Sequence, residues 1–526
     1  MKTLKSYVLG SWQEGQEGNL SFVTLVDPST EEEIGRASSA GIDFGAVLDY
    51  ARQRGGPALR AMSFGQRAAL LKEMSKVLRE HRDELLDLSA RNTGTTRADG
   101  SFDVDGASGT LAYYASIGWR LGDRTFLPEG EGVQLAKTEG FYGRHILVPR
   151  PGVAVHINAF NFPAWGFAEK AACALLAGMP VITKPATSTA LVTERCVELI
   201  VEAGFLPEGA FQLIIGATGD LLSRLGPDDV LAFTGSADTA FSLRSKANLL
   251  AANTRVNVEA DSLNAAVLAP DVVDGSATFG LFLKDVVREM TQKTGQKCTA
   301  VRRILVPQAR VDAVQEALIA KLSEVVAGNP ADPAVKMGPV ATSQQLKDAI
   351  SGIAELAQSA RIVHGTGHRT NGQGAPAGKG FFIQPTLLRA DDARDAGAVH
   401  SREVFAPVAT LLPYDGTAAA AAEIVALGGG TLVTSAYTDD AGWAADFVAR
   451  GGGGTGRIYL GSEGSVADAP GSGAALPQTL HGGPGRAGGG EELGGMVGVK
   501  LYLQRVAVQG TKTLVDGLVG NHEYGR

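Results

Sequence analysis

The chain has 526 residues, more than one compact core accommodates, which predicts two or three domains. Its composition, 44% hydrophobic and 20% charged, is ordinary for a soluble enzyme, and its net charge of −8 gives no electrostatic reason to expect nucleic acid or an anionic membrane as a partner. The N-terminal stretch MKTLKSYVLGSWQEG lacks a sustained apolar region, and no apolar run reaches the ~18 residues of a membrane helix, so we expect a cytoplasmic protein.

The first strong periodicity along the chain is helical. In GQRAALLKEMSKVLREHRDELLDLSARNTG, residues Leu70, Leu71, Met74, Val77 and Leu78 recur at the spacing of one helix face, and the final Asn-Thr-Gly is a plausible helix end. Buried strands are predicted next, at VAVHINAF, PVITKPA, FQLIIG, DVLAFTGS and TRVNVEA. Helical patterns separate these strands, which predicts a mainly parallel α/β sheet with right-handed crossovers.

A second α/β series follows residue 259. Its predicted elements are a strand at ILVP, a helix over residues 311–326, and strands at FFIQPTLL and GTLVTSAYT. Glycine is unusually frequent, 68 residues, and is densest between Gly451 and Gly498, which indicates many turns and close backbone approaches. Two α/β lobes are the simplest interpretation, although a fold alone does not define a function.

The spacings of the cysteines and histidines do not match those of a metal site or a disulfide scaffold. The three cysteines, Cys173, Cys196 and Cys298, form no CxxC motif, which argues against a disulfide scaffold or a thiolate metal site. His364 and His368 are four residues apart, but they lie in the loop-like stretch GTGHRTNGQG, so we interpret them as surface residues. We therefore predict no metal site.

Cys298 is the cysteine with the most unusual sequence surroundings. Free cysteines are most often small buried hydrophobes, which is the simpler interpretation. Lys293, Lys297, Arg302 and Arg303 flank it, however, and positive charge near a thiol favours the reactive thiolate. Because sequence neighbours need not be neighbours in space, this stretch leaves both interpretations open.

Chemically useful side chains follow several of the predicted parallel strands. Ligands of open α/β sheets bind beyond the carboxyl ends of the strands. Asn161 follows the first strand, Lys184 ends the second, and Glu259 ends the last. Gly235 and Ser236, in FTGS, stand at a predicted helix start whose backbone N–H groups suit a phosphate. Each residue also has a structural interpretation as a turn former or a surface charge, but their joint position at strand ends predicts a ligand site.

The motifs NAFNFP, KPA, AFTGS, VEADS, GQKC and EVFAPV occur in this order across nearly the whole chain. In this series the sequence resembles the aldehyde dehydrogenase superfamily. The resemblance implies an α/β fold with a Rossmann-like cofactor domain (residues 1–131 and 150–260) and an α/β catalytic domain (residues 261–490). It also implies a small β oligomerisation element (residues 132–149 and 491–526), through which a homodimer or homotetramer forms.

The resemblance implies a chemical role for four residues. Cys298 is the expected nucleophile, which attacks an aldehyde to form a thiohemiacetal and then, after hydride transfer, a thioester. The Asn161 amide and the Cys298 backbone N–H are expected to stabilise the oxyanion. Glu259 is the expected general base for the hydrolytic water, with a pKa raised by partial desolvation. Glu492, in GGGEELGG, is expected to help relay protons.

Cofactor residues also follow from the resemblance. Glu403 and Phe405, in REVFAPV, are expected to place the nicotinamide ribose and ring. Many NAD-preferring relatives have glutamate three residues after the KPA lysine, and its carboxylate would repel a 2′-phosphate. Here that position is Thr187, so Lys184 is free to pair with a phosphate to which Thr187 and Ser188 can donate. We therefore predict NADP as the preferred cofactor, with NAD possible.

Departures from the family pattern indicate the substrate. EADSLNA after the expected base and HGGPGRAGGGEELGG near the end resemble the branch that oxidises semialdehydes of coenzyme A thioesters in aerobic aromatic degradation. Within it, a stand-alone enzyme of benzoate oxidation fits better than the phenylacetate-pathway enzyme, which carries an additional hydratase domain. The expected partner is thus a small-molecule aldehyde on a CoA thioester.

Four alternatives remain open at the level of sequence. They are a general short-chain aldehyde dehydrogenase, a CoA-acylating aldehyde dehydrogenase, an acyltransferase that uses Cys298 without hydride transfer, and a dinucleotide-binding structural protein on the same fold. Glu259 argues against the acylating enzyme, and no motif places a histidine as the base of an acyltransferase.

Overall fold

The structure is a computed structural model that describes residues 2–17 and 21–519. Residues 1 and 18–20 of the predicted cofactor domain and residues 520–526 of the predicted oligomerisation element lie outside the described residues. Within the described part of the chain, no helix is both long enough and apolar enough to cross a bilayer.

Strands and helices alternate through most of the chain. The strands are β1 Lys2–Thr3, β2 Lys5–Val8, β3 Ser11–Glu14, β4 Val23–Val26, β5 Glu33–Ala37, β6 Leu127–Gln134, β7 Tyr142–Pro149, β8 Ala154–Ile157, β9 Val181–Lys184, β10 Phe211–Leu213 and β11 Val230–Thr234. They continue with β12 Arg255–Glu259, β13 Ala265–Leu268, β14 Arg303–Pro307, β15 Arg361–His364, β16 Thr386–Arg389, β17 Val408–Tyr414, β18 Thr431–Tyr437, β19 Thr455–Gly461, β20 Leu480–Gly482, β21 Glu491–Leu493 and β22 Leu503–Gly510.

The helices lie mainly between the strands. They are α1 Phe44–Tyr50, α2 Gly56–Ala61, α3 Phe64–Glu80, α4 Arg82–Thr93, α5 Arg97–Leu121, α6 Trp165–Ala177, α7 Ala190–Glu202 and α8 Ala237–Arg244. The remainder are α9 Ala247–Ala251, α10 Ala277–Thr291, α11 Val311–Ser323, α12 Ser343–Leu356, α13 Ala418–Ala426, α14 Ala441–Gly451, α15 Met496–Lys500 and α16 Lys512–Val519.

The first large sheet has seven strands in the order β12-β11-β8-β9-β10-β2-β3. Strands β8 to β12 pair in parallel, and β2 and β3 add an antiparallel edge. In register, Ile157 lies opposite Lys184, and Thr234 lies opposite Glu259. The strand ends predicted to carry ligand residues therefore share one edge, as expected for a parallel sheet.

The second large sheet also has seven strands, in the order β15-β16-β17-β14-β13-β18-β19, and only β15 pairs antiparallel to its neighbour. Its central strands β17 and β18 are buried along their whole length, as parallel strands covered on both faces require. The predicted strand FFIQPTLL is shorter than expected: β16 begins only at Thr386, because Pro385 before it has no N–H for the ladder. The predicted α/β architecture is confirmed.

A third, three-stranded antiparallel sheet has the order β22-β7-β6. It contains the hairpin and the C-terminal strand that the resemblance implied, and β22 pairs with β7 along eight residues.

The long helical pattern predicted before the first sheet forms two helices, α3 and α4, which divide at His81. Gly94 ends α4 in the left-handed conformation that glycine favours.

Candidate active site

Three side chains predicted to be chemically active lie at one place. Asn161 is in the loop between β8 and α6, Glu259 is the last residue of β12, and Cys298 follows α10. All three line one narrow cavity together with Lys170. Asn161 and Glu259 are buried, whereas Cys298 is partly exposed.

A tight turn after α10 sets the position of Cys298. Lys293, Thr294 and Gly295 are consecutive residues in the left-handed region, with φ of 51°, 57° and 66°. A Cβ on Gly295 would lie 2.3 Å from the Ala406 carbonyl oxygen, so the turn requires glycine at that position. Strained backbone of this kind is held by its surroundings and is enriched at functional sites.

The Asn161 amide retains hydrogen-bonding capacity. Its Nδ2 donates to the Gln296 carbonyl at 3.0 Å, which fixes the side chain against the Cys298 loop. A side-chain amide has two N–H donors. The second is therefore free for an oxygen atom bound beside Cys298.

The cationic surroundings proposed for Cys298 are wrong in detail. Lys297 is buried and pairs with Glu289 at 2.6 Å, and Arg302 and Arg303 donate to backbone carbonyls. Burial and the adjacent Glu259 carboxylate raise the pKa of Cys298 well above its ordinary value. Sequence neighbours of a loop residue point in different directions, and these cations bind partners other than the thiol.

A histidine that the sequence analysis missed lies beside the thiol. His481, on β20, is buried, and its Nε2 is 3.7 Å from Cys298 Sγ and 3.0 Å from Glu259 Oε2. Burial lowers the pKa of His481, but the Glu259 carboxylate outweighs it and raises the pKa above the ordinary value. No sequence motif placed a histidine beside Cys298, and the fold brings His481 there. The motif HGGPGRAGG was the available signal, but nothing in its spacing connects it with residue 298.

The expected raised pKa of Glu259 is also wrong. Burial favours the neutral acid, but the His481 imidazolium and the Lys170 ammonium favour the carboxylate more, and together they lower its pKa to about 2. Glu259 is consequently ionised at neutral pH.

Glu492 belongs to a buried cluster around Lys170. The Lys170 ammonium lies 2.7 Å from Glu169 and 3.2 Å from Glu492, whose other oxygen accepts from Asn257. Carboxylate oxygens of Glu169, Glu259 and Glu492 lie within 4.8 Å of one another. Burial raises the pKa of Glu169 to about 8 and that of Glu492 above its ordinary value. The cluster thus connects Glu492 to Glu259 through charged groups.

Lys184 ends β9 and lies next to the turn that contains Thr187 and Ser188. Its Nζ donates to the Pro185 carbonyl at 3.3 Å, and burial lowers its pKa to about 8. No ion pair joins it to a carboxylate among the described residues. A half-buried ammonium of this kind fits an anionic ligand. The neighbouring Thr187–Thr189 turn is held in place by Asn92, which donates to the Ser188 carbonyl at 2.9 Å.

The predicted phosphate position at FTGS is partly filled by the chain itself. The Gly235 N–H donates to the Glu259 carbonyl, and the Ala237 N–H donates to the Asp261 carboxylate at 2.9 Å. Ser236 caps α8 by accepting from the Thr239 N–H. Two amides near this helix start therefore already have acceptors.

Glu403 lies near enough to Cys298 to help raise the pKa of the thiol, and Phe405 is two residues further along the same loop. Oxygen Oε1 of Glu403 is buried without a hydrogen bond, and burial raises its pKa to about 7 although Arg302 lies 3.7 Å away. The Phe405 ring contacts Phe160 edge-on at 5.9 Å. An unsatisfied buried oxygen beside an aromatic ring fits the hydroxyl groups and ring of a nicotinamide nucleoside.

A larger cavity, of about 490 Å³, also has Cys298 in its wall. Its aromatic lining residues are Phe102, Phe162 and Trp165, and its small ones include Gly106 and Gly109 of α5. Cavities of this size hold small organic ligands. Cys298 thus borders two cavities, one with polar catalytic groups and one with a mainly apolar wall.

A Rossmann-like sheet and a second α/β sheet, with a thiol, a carboxylate and an amide at one site, define an oxidoreductase that uses a nicotinamide cofactor. The family model described as "Aldehyde dehydrogenase family" matches residues 12–500. The chain belongs to this family and is an aldehyde dehydrogenase.

Relatives agree with this assignment. The 3,4-dehydroadipyl-CoA semialdehyde dehydrogenase of Aromatoleum evansii is 46% identical over 482 residues, which are 91% of this chain and 93% of the relative. Betaine aldehyde dehydrogenase from Staphylococcus aureus, solved in complex with NAD+, has a TM-score of 0.84 at 25% identity and covers 97% of this chain and 95% of its own. A mutant aldehyde dehydrogenase from Bacillus cereus has a TM-score of 0.82 at 22% identity, with 97% of both chains covered.

Proposed function

We propose that the protein oxidises a semialdehyde of a coenzyme A thioester, of the 3,4-dehydroadipyl-CoA semialdehyde type, to the carboxylic acid with NADP. The observation that carries the proposal is the 46% identity, over 91% of the chain, to an enzyme named for that substrate. The cavity of about 490 Å³ beside Cys298 supports it, because the cavity suits the semialdehyde arm of a substrate whose bulky CoA portion lies outside.

The first chemical step uses Cys298. Its Sγ bonds to the aldehyde carbon, and its proton passes to solvent in the cavity that Cys298 borders. The carbonyl oxygen becomes an oxyanion, which the free N–H of Asn161 stabilises. A dinucleotide held by Lys184, Glu403 and Phe405 would supply the hydride acceptor, and Cys298 would then carry a thioester.

The second step uses Glu259. Its ionised carboxylate takes a proton from a water molecule, which attacks the thioester carbon and releases the carboxylic acid and the Cys298 thiol. Lys170 and Glu492 provide a route by which that proton leaves Glu259, since the three side chains form one buried charged cluster.

The NADP preference rests on the Lys184 region. Thr187 stands where a carboxylate would repel a 2′-phosphate, and the Lys184 ammonium has no carboxylate partner within the described residues. Glu403 and Phe405 would hold the nicotinamide nucleoside at the other end of the cofactor.

We assign cofactor binding to residues 1–131 and 150–260, catalysis to residues 261–490, and assembly to residues 132–149 and 491–526. A homodimer or homotetramer is supported by the exposed apolar side chains of α16, Leu514 and Leu518, which are 68% and 58% exposed. Apolar side chains exposed to this degree on one short helix are typical of a surface that becomes buried on assembly.

The test compares two substrates that differ only in the CoA group. We expect kcat/KM for the acyl-CoA semialdehyde to exceed that for the CoA-free semialdehyde, with no requirement for added free CoA. Equal values would identify a general short-chain aldehyde dehydrogenase, and a requirement for free CoA would identify the acylating reaction.

A further inference from the structure

Three different ligand atoms converge beside the substrate cavity. Cys298 Sγ, His481 Nε2 and a Glu259 carboxylate oxygen lie within 4.8 Å of one another. The separation is 3.7 Å between sulfur and nitrogen and 3.0 Å between nitrogen and oxygen. The residues come from distant parts of the chain, so the cluster is a product of the fold.

These separations are close to those of a tetrahedral zinc site. With Zn–S of ~2.3 Å, Zn–N of ~2.0 Å and Zn–O of ~2.1 Å, tetrahedral angles place the ligand atoms roughly 3.4–3.6 Å apart. The set of thiolate, imidazole and carboxylate is one that zinc accepts, whereas Mg²⁺ and Ca²⁺ require oxygen ligands. Small side-chain movements would bring all three atoms to zinc-binding distance.

The Glu259 carboxylate is buried directly beside the two other ligand residues. Its Oε2 lies 3.0 Å from His481 Nε2, and the Cys298 thiol also contacts the carboxylate. Both side chains are buried, at 2% exposure, and Cys298 opens onto the cavity of about 490 Å³. The cavity gives a metal ion an entry route and leaves room for water as the fourth ligand.

We propose that Cys298, His481 and Glu259 form an inhibitory site for Zn²⁺ or a chemically similar divalent cation. A metal–sulfur bond forms as the Cys298 thiol loses its proton to solvent, and His481 releases its Nε2 proton to solvent and binds the ion through that nitrogen. Neither sulfur nor metal changes oxidation state. Because Sγ is then unavailable to the aldehyde carbon, the ion inhibits oxidation in competition with the aldehyde, and a chelator reverses the inhibition.

The test uses cobalt and zinc on the full chain. Bound Co²⁺ should show a sulfur-to-cobalt charge-transfer band at one ion per chain, and zinc should displace it. X-ray absorption of the zinc-loaded wild type should show one sulfur ligand together with nitrogen and oxygen ligands. Zinc should also protect Cys298 from alkylation, as read by mass spectrometry.

Variants then assign the ligands. His481→Gln should lower zinc affinity at least about 100-fold, since loss of a residue that merely supports a ligand costs 10–100-fold. Cys298→Ser should remove the cobalt charge-transfer band. His368→Gln, at an exposed histidine, is the matched control and should leave affinity and spectrum unchanged.

Several results would overturn the proposal. One is that no ion binds at one per chain. Another is an X-ray absorption spectrum of the zinc-loaded protein without a sulfur ligand. A third is a folded His481→Gln variant whose cobalt charge-transfer band and zinc affinity equal those of the wild type. If that variant does not fold, the X-ray absorption spectrum of the wild type and its protection from alkylation still show whether zinc binds at Cys298. None of these measurements depends on which aldehyde the enzyme oxidises.

Discussion

Cys298 is protonated in the resting site, because burial and the Glu259 carboxylate both raise its pKa. The His481 imidazole lies 3.7 Å from its sulfur and itself pairs with Glu259. Thiol, imidazole and carboxylate therefore share their protons, and the reactivity of each depends on the other two. Substitution of one residue is expected to alter both half-reactions unless the replacement keeps shape and hydrogen bonding.

Glu259→Gln separates the two half-reactions. We expect a rapid burst of one reduced cofactor per site followed by slow turnover, because the amide cannot take a proton from the hydrolytic water. Stopped-flow absorbance of the reduced nicotinamide measures both phases. A slowed burst would show that Glu259 also assists deprotonation of Cys298, and unchanged steady-state turnover would contradict the proposed role.

The proposed role of Lys184 predicts that cofactor selectivity depends on pH. Burial lowers its pKa to about 8 in the free protein, so the ammonium proposed to bind a 2′-phosphate is present below that pH and lost above it. We expect NADP affinity to fall between pH 7 and pH 9 (about one unit on each side of the pKa) while NAD affinity changes little. Dinucleotide titrations by fluorescence at each pH are the measurement.

Two substitutions control this experiment. Lys184→Arg keeps the positive charge at high pH and should flatten the profile. Thr187→Glu should shift preference towards NAD at every pH, because its carboxylate repels the phosphate. A wild-type preference for NAD at pH 7 would refute the NADP assignment.

At the scale of elements, the ends of strands and the turn after α10 determine the site. Parallel pairing of β8, β9, β11 and β12 brings their carboxyl ends to one edge. The turn at Lys293, Thr294 and Gly295 then directs Cys298 towards that edge from the second sheet. The site is therefore sensitive to backbone geometry outside the reactive residues.

Gly295→Ala tests this turn. We expect a loss of about 1–3 kcal/mol in unfolding free energy, or more, because alanine at φ of 66° is strained and its Cβ meets the Ala406 carbonyl. Gly280→Ala is the matched control, since that glycine lies in α10 with open space around it and should gain ~0.5–1 kcal/mol. The unfolding free energies of the two variants, measured by urea titration, should change in opposite directions from that of the wild type.

The sequence predicts strands and strand ends better than the contacts between them. Asn161, Lys184 and Glu259 could be placed at one edge because hydrophobic runs identify strands and parallel sheets align their ends. The position of His481 beside Cys298 could not be predicted, because it depends on how β20 packs against a loop 183 residues away. The partners of Lys297 and Arg302 could not be predicted for the same reason, because a loop does not constrain its side chains by periodicity.

At the scale of the whole molecule, the strands β22-β7-β6 form a small sheet that is not part of either large sheet. Leu514 and Leu518 of α16 continue this region with exposed apolar surface. Burial of such surface between subunits would stabilise an oligomer at ~25 cal/mol per Å² of apolar area.

Leu518→Glu tests the proposed assembly surface. A charge buried in a subunit contact is costly, so we expect a lower oligomeric mass by light scattering, with the circular dichroism spectrum retained. Leu427→Glu, at an exposed leucine after α13, is the control and should leave the mass unchanged. An unaltered mass for Leu518→Glu would exclude this helix from the contact.

The charges of the buried cluster around Lys170 do not balance when every member is ionised. Glu169, Glu259 and Glu492 contribute three negative charges when ionised, whereas Lys170 and protonated His481 contribute two positive ones. A buried group of charges is most stable near zero net charge, so one carboxyl group retains a proton at neutral pH. Because burial raises the pKa of Glu169 to about 8, we expect Glu169 to hold it. The resting enzyme then stores a mobile proton at its centre, visible as a carboxylic C=O stretch in the infrared that Glu169→Gln should abolish.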